Sequence, residues 1–144
     1  MRHLIGVSLA VVTLLMISAA SAQTANDKIG QVSFPISCSP AVQKPFERGV
    51  ALLHSFWYLE SVKAFTAVTQ ADPDCAMGYW GIAMSLWYQI WSPPSPANLK
   101  RGWEAVEKAK AAPTKTQRER DWVAAAEAFY KDGDKLDHKT RALA

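Results

Sequence analysis

The chain has few of the residues from which catalytic and metal sites are usually built. It contains two cysteines and three histidines in 144 residues. The cysteines lack the Cys-x-x-Cys spacing, which excludes the common dithiol redox motif and the usual c-type haem attachment motif. The sequence also lacks Gly-x-Ser-x-Gly, His-Glu-x-x-His and a phosphate-binding glycine loop. We therefore expect no enzymatic activity and no cofactor, and we assign no catalytic residue and no metal ligand.

His54 is the histidine that most needs an interpretation, because it lies among aromatic residues. No Cys, Asp or Glu stands at ligand spacing beside it, so it is a poor candidate for a metal site. Ser55 follows it, but no third residue completes a catalytic triad. A packed or hydrogen-bonded imidazole ring is the interpretation that we favour.

Strong charge of either sign is also missing. The formal net charge is +3, and it falls to +2 if Arg2 is removed with a signal peptide. This charge is too small to indicate a nucleic-acid or membrane partner. Cations do concentrate between residues 100 and 120, but glutamates dilute them, so we interpret this stretch as a solvated helix surface.

Residues 1–22 have the three parts of a secretory signal peptide. A basic start is followed by an uncharged apolar run at 4–20 and by the small-residue site Ala20-Ser21-Ala22. An uncleaved membrane anchor is the alternative, but a spanning helix needs about 20 apolar residues, and this run is slightly shorter. We predict cleavage after Ala22 and an exported protein, periplasmic or secreted, that is not held at the membrane.

The remaining chain is predicted to be all-α. Residues 23–40 form a leader that is expected to be loose up to Ile36, and residues 41–144 form a single helical domain. From Phe46 onward apolar residues recur at helical spacing, and no alternating strand pattern competes. Proline, glycine and aspartate divide the domain, and the predicted helices span the following ranges: about 45–55, 58–71, 75–91, 97–111 and 115–131, with a further start near 137.

Two helix starts carry recognisable capping residues. Ser95 precedes a proline, which is the arrangement of an N-cap followed by proline at the first helical position. For the last long helix, Thr114 with Gln117 or Thr116 with Glu119 offers a capping box, and the sequence leaves both open.

The helical region repeats with a fixed period. The same separation of 34 residues joins Phe46 to Trp80, Gly49 to Ala83 and Leu52 to Leu86. A period of about 34 residues, with large and small residues at fixed positions of two helices, resembles the tetratricopeptide repeat. The matching packing positions are Gly49, Ser61, Phe65, Pro73, Tyr79, Ile82, Ala83, Leu86, Gly102, Trp122, Ala126 and Phe129.

This resemblance implies a tetratricopeptide-like stack of antiparallel helix hairpins, with about two and a half repeats. Small residues allow close helix approach, and large residues fill the space beside each contact. The blocks 38–40, 46–58 and 72–87 further resemble the N-terminal part of larger exported bacterial tetratricopeptide-repeat proteins. That family carries no activity that transfers to residues here. An unrelated helical bundle is the alternative.

The repeat arrangement also implies a disulfide. Cys75 begins the first helix of the second unit, and Cys38 lies just before the first helix of the first unit. Equivalent helices of a stack lie about 10 Å apart, and an exported chain meets oxidising conditions. We therefore predict that Cys38 and Cys75 are bridged.

The first helices of tetratricopeptide units line a concave groove, so the resemblance also implies a ligand surface. The residues expected to line it are Phe46, Val50, Leu53, His54, Met77, Trp80, Met84, Trp87 and Tyr88. Large aromatic residues and methionine are suited to partner recognition. The alternative is that this second apolar stripe is packed inside the protein.

The sequence thus favours a non-catalytic interaction module or scaffold of the bacterial cell envelope, which binds a protein or peptide in an apolar groove. The alternative function is a small-molecule- or metal-binding N-terminal part of a larger exported enzyme. Residues 136–144 are predicted to start a helix that stops abruptly, which indicates an incomplete array. An exposed C-terminal helix of this kind could also support self-association.

Overall fold

A computed structural model describes residues 29–144. The predicted signal peptide and residues 23–28 lie outside the described residues. All regular elements in the described part are helical, and the six α-helices pack in a stack. A short 3-10 helix at Pro40–Val42 precedes α1 (Gln43–His54), α2 (Tyr58–Ala71), α3 (Ala76–Trp87), α4 (Pro96–Ala111), α5 (Gln117–Tyr130) and α6 (His138–Ala142).

The helix α1 begins two residues earlier than expected, and Pro45 is its third residue. The amide nitrogens of the first turn have no carbonyl partner within the helix. A proline, which lacks an N–H, therefore costs little there. The preceding 3-10 helix brings the chain into α1 without placing Pro45 in a helix interior.

The helix α3 ends at Trp87, four residues before the predicted end at 91. Tyr88 stops it by adopting φ 65° and ψ −144°, a conformation that non-glycine residues rarely occupy. The prediction relied on Pro93-Pro94 as the stop and was therefore wrong for the last turn. Trp91, which the longer predicted helix includes, therefore lies in the following loop and is 73% exposed.

Side-chain caps fix the starts of the later helices. The Ser95 hydroxyl accepts a hydrogen bond from the Asn98 amide at 3.2 Å, as its position before a proline predicts. The Thr116 hydroxyl accepts from the Glu119 amide at 3.2 Å, which selects this pair among the two candidate boxes. Each cap satisfies an amide of the first turn that has no carbonyl partner within its helix.

Each helix packs against the next, and α3 also contacts both α1 and α5. The helices α1, α3 and α5 therefore form one layer, with α2 and α4 packed against it. We call the surface formed by this layer the α1–α3–α5 face. Most predicted packing residues are buried, whereas Tyr79 and Ile82 are half-buried and Pro73 and Trp122 are exposed.

Close approaches of the helices depend on glycine. The fully buried ring of Phe65 on α2 lies between Gly49 of α1 and Gly81 of α3. A Cβ atom would lie 2.7 Å from this ring at Gly49 and 2.3 Å from it at Gly81. Gly102 receives the ring of Tyr130 in the same way, with 2.1 Å to a Cβ. Gly49 and Gly102 were expected at close contacts, and Gly81 was not.

The described part of the leader is packed and not loose. Val32, Phe34, Ile36 and Cys38 pack against the core, while the intervening Ser33 and Pro35 are exposed. This alternation is that of an extended chain, whose successive side chains point to opposite sides. The predicted disulfide is present between Cys38 and Cys75, with Cα atoms 5.1 Å apart, and it joins the leader to the start of α3.

Candidate functional site

The leader crosses the α1–α3–α5 face, and the ring of Phe34 lies at its centre. Ring centroids place Phe34 5.5 Å from Phe46 on α1, 5.8 Å from Trp80 on α3 and 6.0 Å from Trp122 on α5. One aromatic side chain thus contacts all three helices of the layer. We call the depression that holds residues 32–37 the leader groove.

Side chains of α1 bind the leader backbone on one side of this groove. The Gln43 amide donates from Nε2 to the Phe34 carbonyl at 2.9 Å, and its Oε1 accepts from the Ile36 amide at 3.1 Å. Glu47 accepts from the Phe34 amide at 3.3 Å. Because these bonds engage main-chain atoms, they recognise an extended backbone more than a particular sequence.

Side chains of α5 bind the leader from the opposite side. Glu119 accepts from the Ser37 amide at 2.6 Å and from the Ser37 hydroxyl. Arg118 donates to the Pro35 carbonyl, and its guanidinium carbon lies 4.8 Å from the centroid of the Phe34 ring. The leader is therefore held between two helices by polar contacts and seated on the third by an apolar one.

Glu119 is the buried charge of this site, with 2% of its surface exposed. Burial opposes ionisation, but hydrogen bonds from Ser37 and Thr116 outweigh it and hold the pKa of the Glu119 carboxyl below its ordinary value. Glu119 is thus a carboxylate at neutral pH and acts as an acceptor for the leader.

The nine residues predicted to line a groove divide into two groups. Phe46, Val50, Met77 and Trp80 are buried in the core of the described structure, so they present little surface to a partner. Part of this burial is due to the leader, since Phe34 covers Phe46 and Trp80. The remaining five stay at least partly accessible: Leu53, His54, Met84, Trp87 and Tyr88.

The accessible residues belong to two cavities that share Met84 and Trp87 on α3, and we call these cavities together the open groove. The first, of about 460 Å³, is bounded by the ends of α1 and α3 and by the loop after α3, and it includes Tyr88. The second, of about 340 Å³, lies between α3 and α5 and is also lined by Trp80 and Trp122. Since Trp80 and Trp122 also contact Phe34, the open groove continues the leader groove.

Two indole nitrogens in this region have no hydrogen-bond partner among residues 29–144. The Nε1 atoms of Trp80 and Trp87 are buried and unpaired, and both side chains line the second cavity. A buried donor without an acceptor is costly.

Sequence reasoning missed three aromatic residues of the first cavity, Phe56, Tyr58 and Trp91. Phe56 and Trp91 are 60% and 73% exposed, and their ring centroids lie 6.4 Å apart. Phe56 has φ 62°, so two lining residues, Phe56 and Tyr88, occupy the left-handed region. Neither position could be recognised as special from residue types alone, because glycine is the usual signal for such backbone.

The chain matches no protein-family model, and it shows no match among curated proteins or solved structures. Among residues 29–144, no helix has the length and hydropathy that a membrane crossing requires.

One further group of potential ligands lies at the leader's anchor. The ligand atoms of Cys38, Asp72 and Cys75 all lie within 4.8 Å of one another. The two sulfur atoms are bonded to each other, and the Asp72 carboxylate accepts from the Ser39 amide at 2.8 Å. In this form the group fastens the leader and offers no thiolate to a metal.

Proposed function

We propose that this protein is a non-catalytic interaction module of the cell envelope, which binds an extended segment of a partner protein on the α1–α3–α5 face. The observation that carries the proposal is the leader, an extended segment already held on this face. Its backbone is bound by side chains of α1 and α5, and its one large side chain is seated on α3.

The open groove supports the same proposal, because its walls suit a polypeptide. Aromatic side chains and Met84 line both cavities, with alanines beside them in the second, and aromatic residues and methionine are enriched where proteins recognise one another. The groove is also large enough to accept several side chains of a peptide.

We further infer that α1–α2, α3–α4 and α5–α6 are successive tetratricopeptide-like units. Contact of α3 with both α1 and α5 supports this inference, since equivalent helices are neighbours in such a stack. The disulfide between Cys38 and Cys75 supports export, because disulfides persist mainly in oxidising compartments. No nucleic-acid partner, metal or cofactor is part of the proposal.

The experiment is a selection of peptides from a displayed random library on the parent protein. Selected peptides are then measured by fluorescence anisotropy against Met84→Glu, which places a charge in both cavities. The matched control is Ala124→Glu, an exposed position of α5 that lines neither cavity.

We expect Met84→Glu to weaken binding at least about tenfold, because burying an unpaired charge is costly. The control should bind as the parent does. Equal affinity for the two variants would contradict the proposal. A selection that yields no peptide, together with saturable binding of small aromatic compounds, would favour the small-molecule alternative, for which the 460 Å³ cavity is large enough.

A further inference from the structure

The leader groove differs from an ordinary ligand site because its occupant belongs to the same chain. The leader presents Val32, Phe34 and Ile36 to the core at alternate positions. Its Phe34 ring contacts the same indoles, Trp80 and Trp122, that line the open groove. The chain therefore fills one part of its α1–α3–α5 face and leaves the open groove beside it accessible.

Most polar contacts of the leader are independent of its side chains. Gln43, Glu47 and Glu119 accept from backbone amides, and Gln43 and Arg118 donate to backbone carbonyls. Any extended segment offers the same main-chain donors and acceptors with the same spacing. The aromatic contact of the leader, in contrast, depends on its side chain, since the Phe34 ring packs against Phe46, Trp80 and Trp122.

The leader is covalently anchored at one end of the groove. Cys38, bonded to Cys75, follows directly after the groove-bound residues 32–37. Residues 29–37 can thus leave the groove while the anchor stays in place. A short tether gives its ligand an effective concentration in the millimolar range, so a free competitor must overcome this advantage.

We propose that the leader is a displaceable, tethered ligand that competes for the α1–α3–α5 face with an extended segment of another protein. That segment carries apolar side chains at alternate positions, with an aromatic residue for the Phe34 seat and small or uncharged residues between. This inference rests on the proposed function, and it adds the class of partner and the means by which access to the site is limited.

The test uses a fluorescently labelled peptide with the sequence of residues 29–37 and a second peptide in which its phenylalanine is replaced by alanine. Both are titrated by anisotropy against the full parent chain, against Phe34→Ala and against Ser33→Ala. Ser33 is exposed and lies beside Phe34 in the same segment, so its substitution is the matched control.

We expect Phe34→Ala to bind the first peptide at least about tenfold more tightly than the parent, because the weakened leader leaves the groove more often. Ser33→Ala should stay within about twofold of the parent. The alanine peptide should bind Phe34→Ala at least about tenfold more weakly than the first peptide does. Circular dichroism establishes that each variant remains helical.

A second variant tests the anchor. Replacing both Cys38 and Cys75 by serine releases residue 38 from α3 and leaves the leader attached through Pro40–Val42 to α1. The longer tether lowers the effective concentration of the leader, so peptide affinity should again rise. If this variant loses its helical signal in circular dichroism, the peptide affinity of Phe34→Ala, which keeps the disulfide, decides whether the proposal holds.

If the parent and a folded Phe34→Ala variant bind the peptide with equal affinity, the proposal that the leader is a displaceable, tethered ligand is overturned. If Met84→Glu still abolished binding of library peptides in that case, the proposed function would stand without it. Sedimentation of the parent and of Phe34→Ala provides a further check. If the parent is a dimer and the variant that gains peptide affinity is a monomer, the leader binds a second copy, and the inference is overturned.

Discussion

Substitution of Gly81 by alanine tests the central packing contact of the stack. The ring of Phe65 lies between Gly81 and Gly49, and an added Cβ at Gly81 would be 2.3 Å from the ring. Gly49 lies on the other side of the ring, where an added Cβ would be 2.7 Å from it, so the ring has little room to move away from α3. The new methyl group must therefore push α3 away from α2.

Two opposing effects set the magnitude. Alanine is favoured over glycine in a helix interior by about 1 kcal/mol. Overpacking of a filled core costs about 1–3 kcal/mol, and the upper end applies here because the ring is enclosed on both sides. The net result is a loss of about 2 kcal/mol in the free energy of unfolding, or about 8 °C in Tm for a domain of this size.

Thermal and urea unfolding followed by circular dichroism measure this loss. Gly30→Ala is the control, since no atom lies within 4 Å of its added Cβ. Adding Phe65→Leu to Gly81→Ala should show favourable coupling of at least about 1 kcal/mol in a double-mutant cycle. If Gly81→Ala instead raised the stability, as helix propensity alone requires, the packing argument would be refuted.

Three further outcomes are expected. Ala83→Leu, at a fully buried position, should lower the free energy of unfolding by about 1–3 kcal/mol, whereas Ala111→Leu, at an exposed helix end, should leave urea midpoints nearly unchanged. Because the pKa of Glu119 is lowered in the folded state, its stabilising effect is complete above the pKa of the unfolded carboxyl and is lost as the pH falls through the folded pKa. Glu119→Gln should flatten this part of the stability profile, and an unchanged profile would argue against the buried carboxylate. Mass spectrometry of non-reduced peptides should show Cys38 linked to Cys75, and two alkylatable thiols in oxidised protein would contradict the fold at this point.

The helical architecture could be predicted because its signals are local. Apolar spacing locates the helices, and Ser95 and Thr116 mark two starts by chemistry that acts within one turn. The disulfide between Cys38 and Cys75 could also be predicted, since a repeat of fixed period places the two cysteines at neighbouring helix starts.

The end of α3 and the position of the leader could not be predicted in the same way. Tyr88 stops α3 through a strained backbone conformation that its residue type does not signal. Val32, Phe34 and Ile36 form too short an alternation to be distinguished from an irregular segment. Their seat is made by three helices far apart in the sequence, so only the assembled fold reveals it.

The groove prediction shows how tertiary context decides between two uses of the same residues. Helical spacing predicts Trp80, Met84, Trp87 and Trp91 on one side of the third helix. The first three line one cavity, whereas Trp91 lies beyond the end of α3. Helical spacing could not show that Trp80 would be covered by Phe34 while Met84 and Trp87 stay partly accessible. Self-association through the C-terminal helix stays a prediction, motivated by the 76% exposure of Leu143.

The most direct test of the central claim is a measurement of nuclear Overhauser effects in solution, using protein with selectively labelled phenylalanine and tryptophan. The α1–α3–α5 face holds the leader if the Phe34 ring protons show cross-peaks to the indole protons of both Trp80 and Trp122, whose centroids lie 5.8 and 6.0 Å from that ring. A Phe34 ring without cross-peaks to either indole, in a protein whose helices are otherwise intact, would contradict the account.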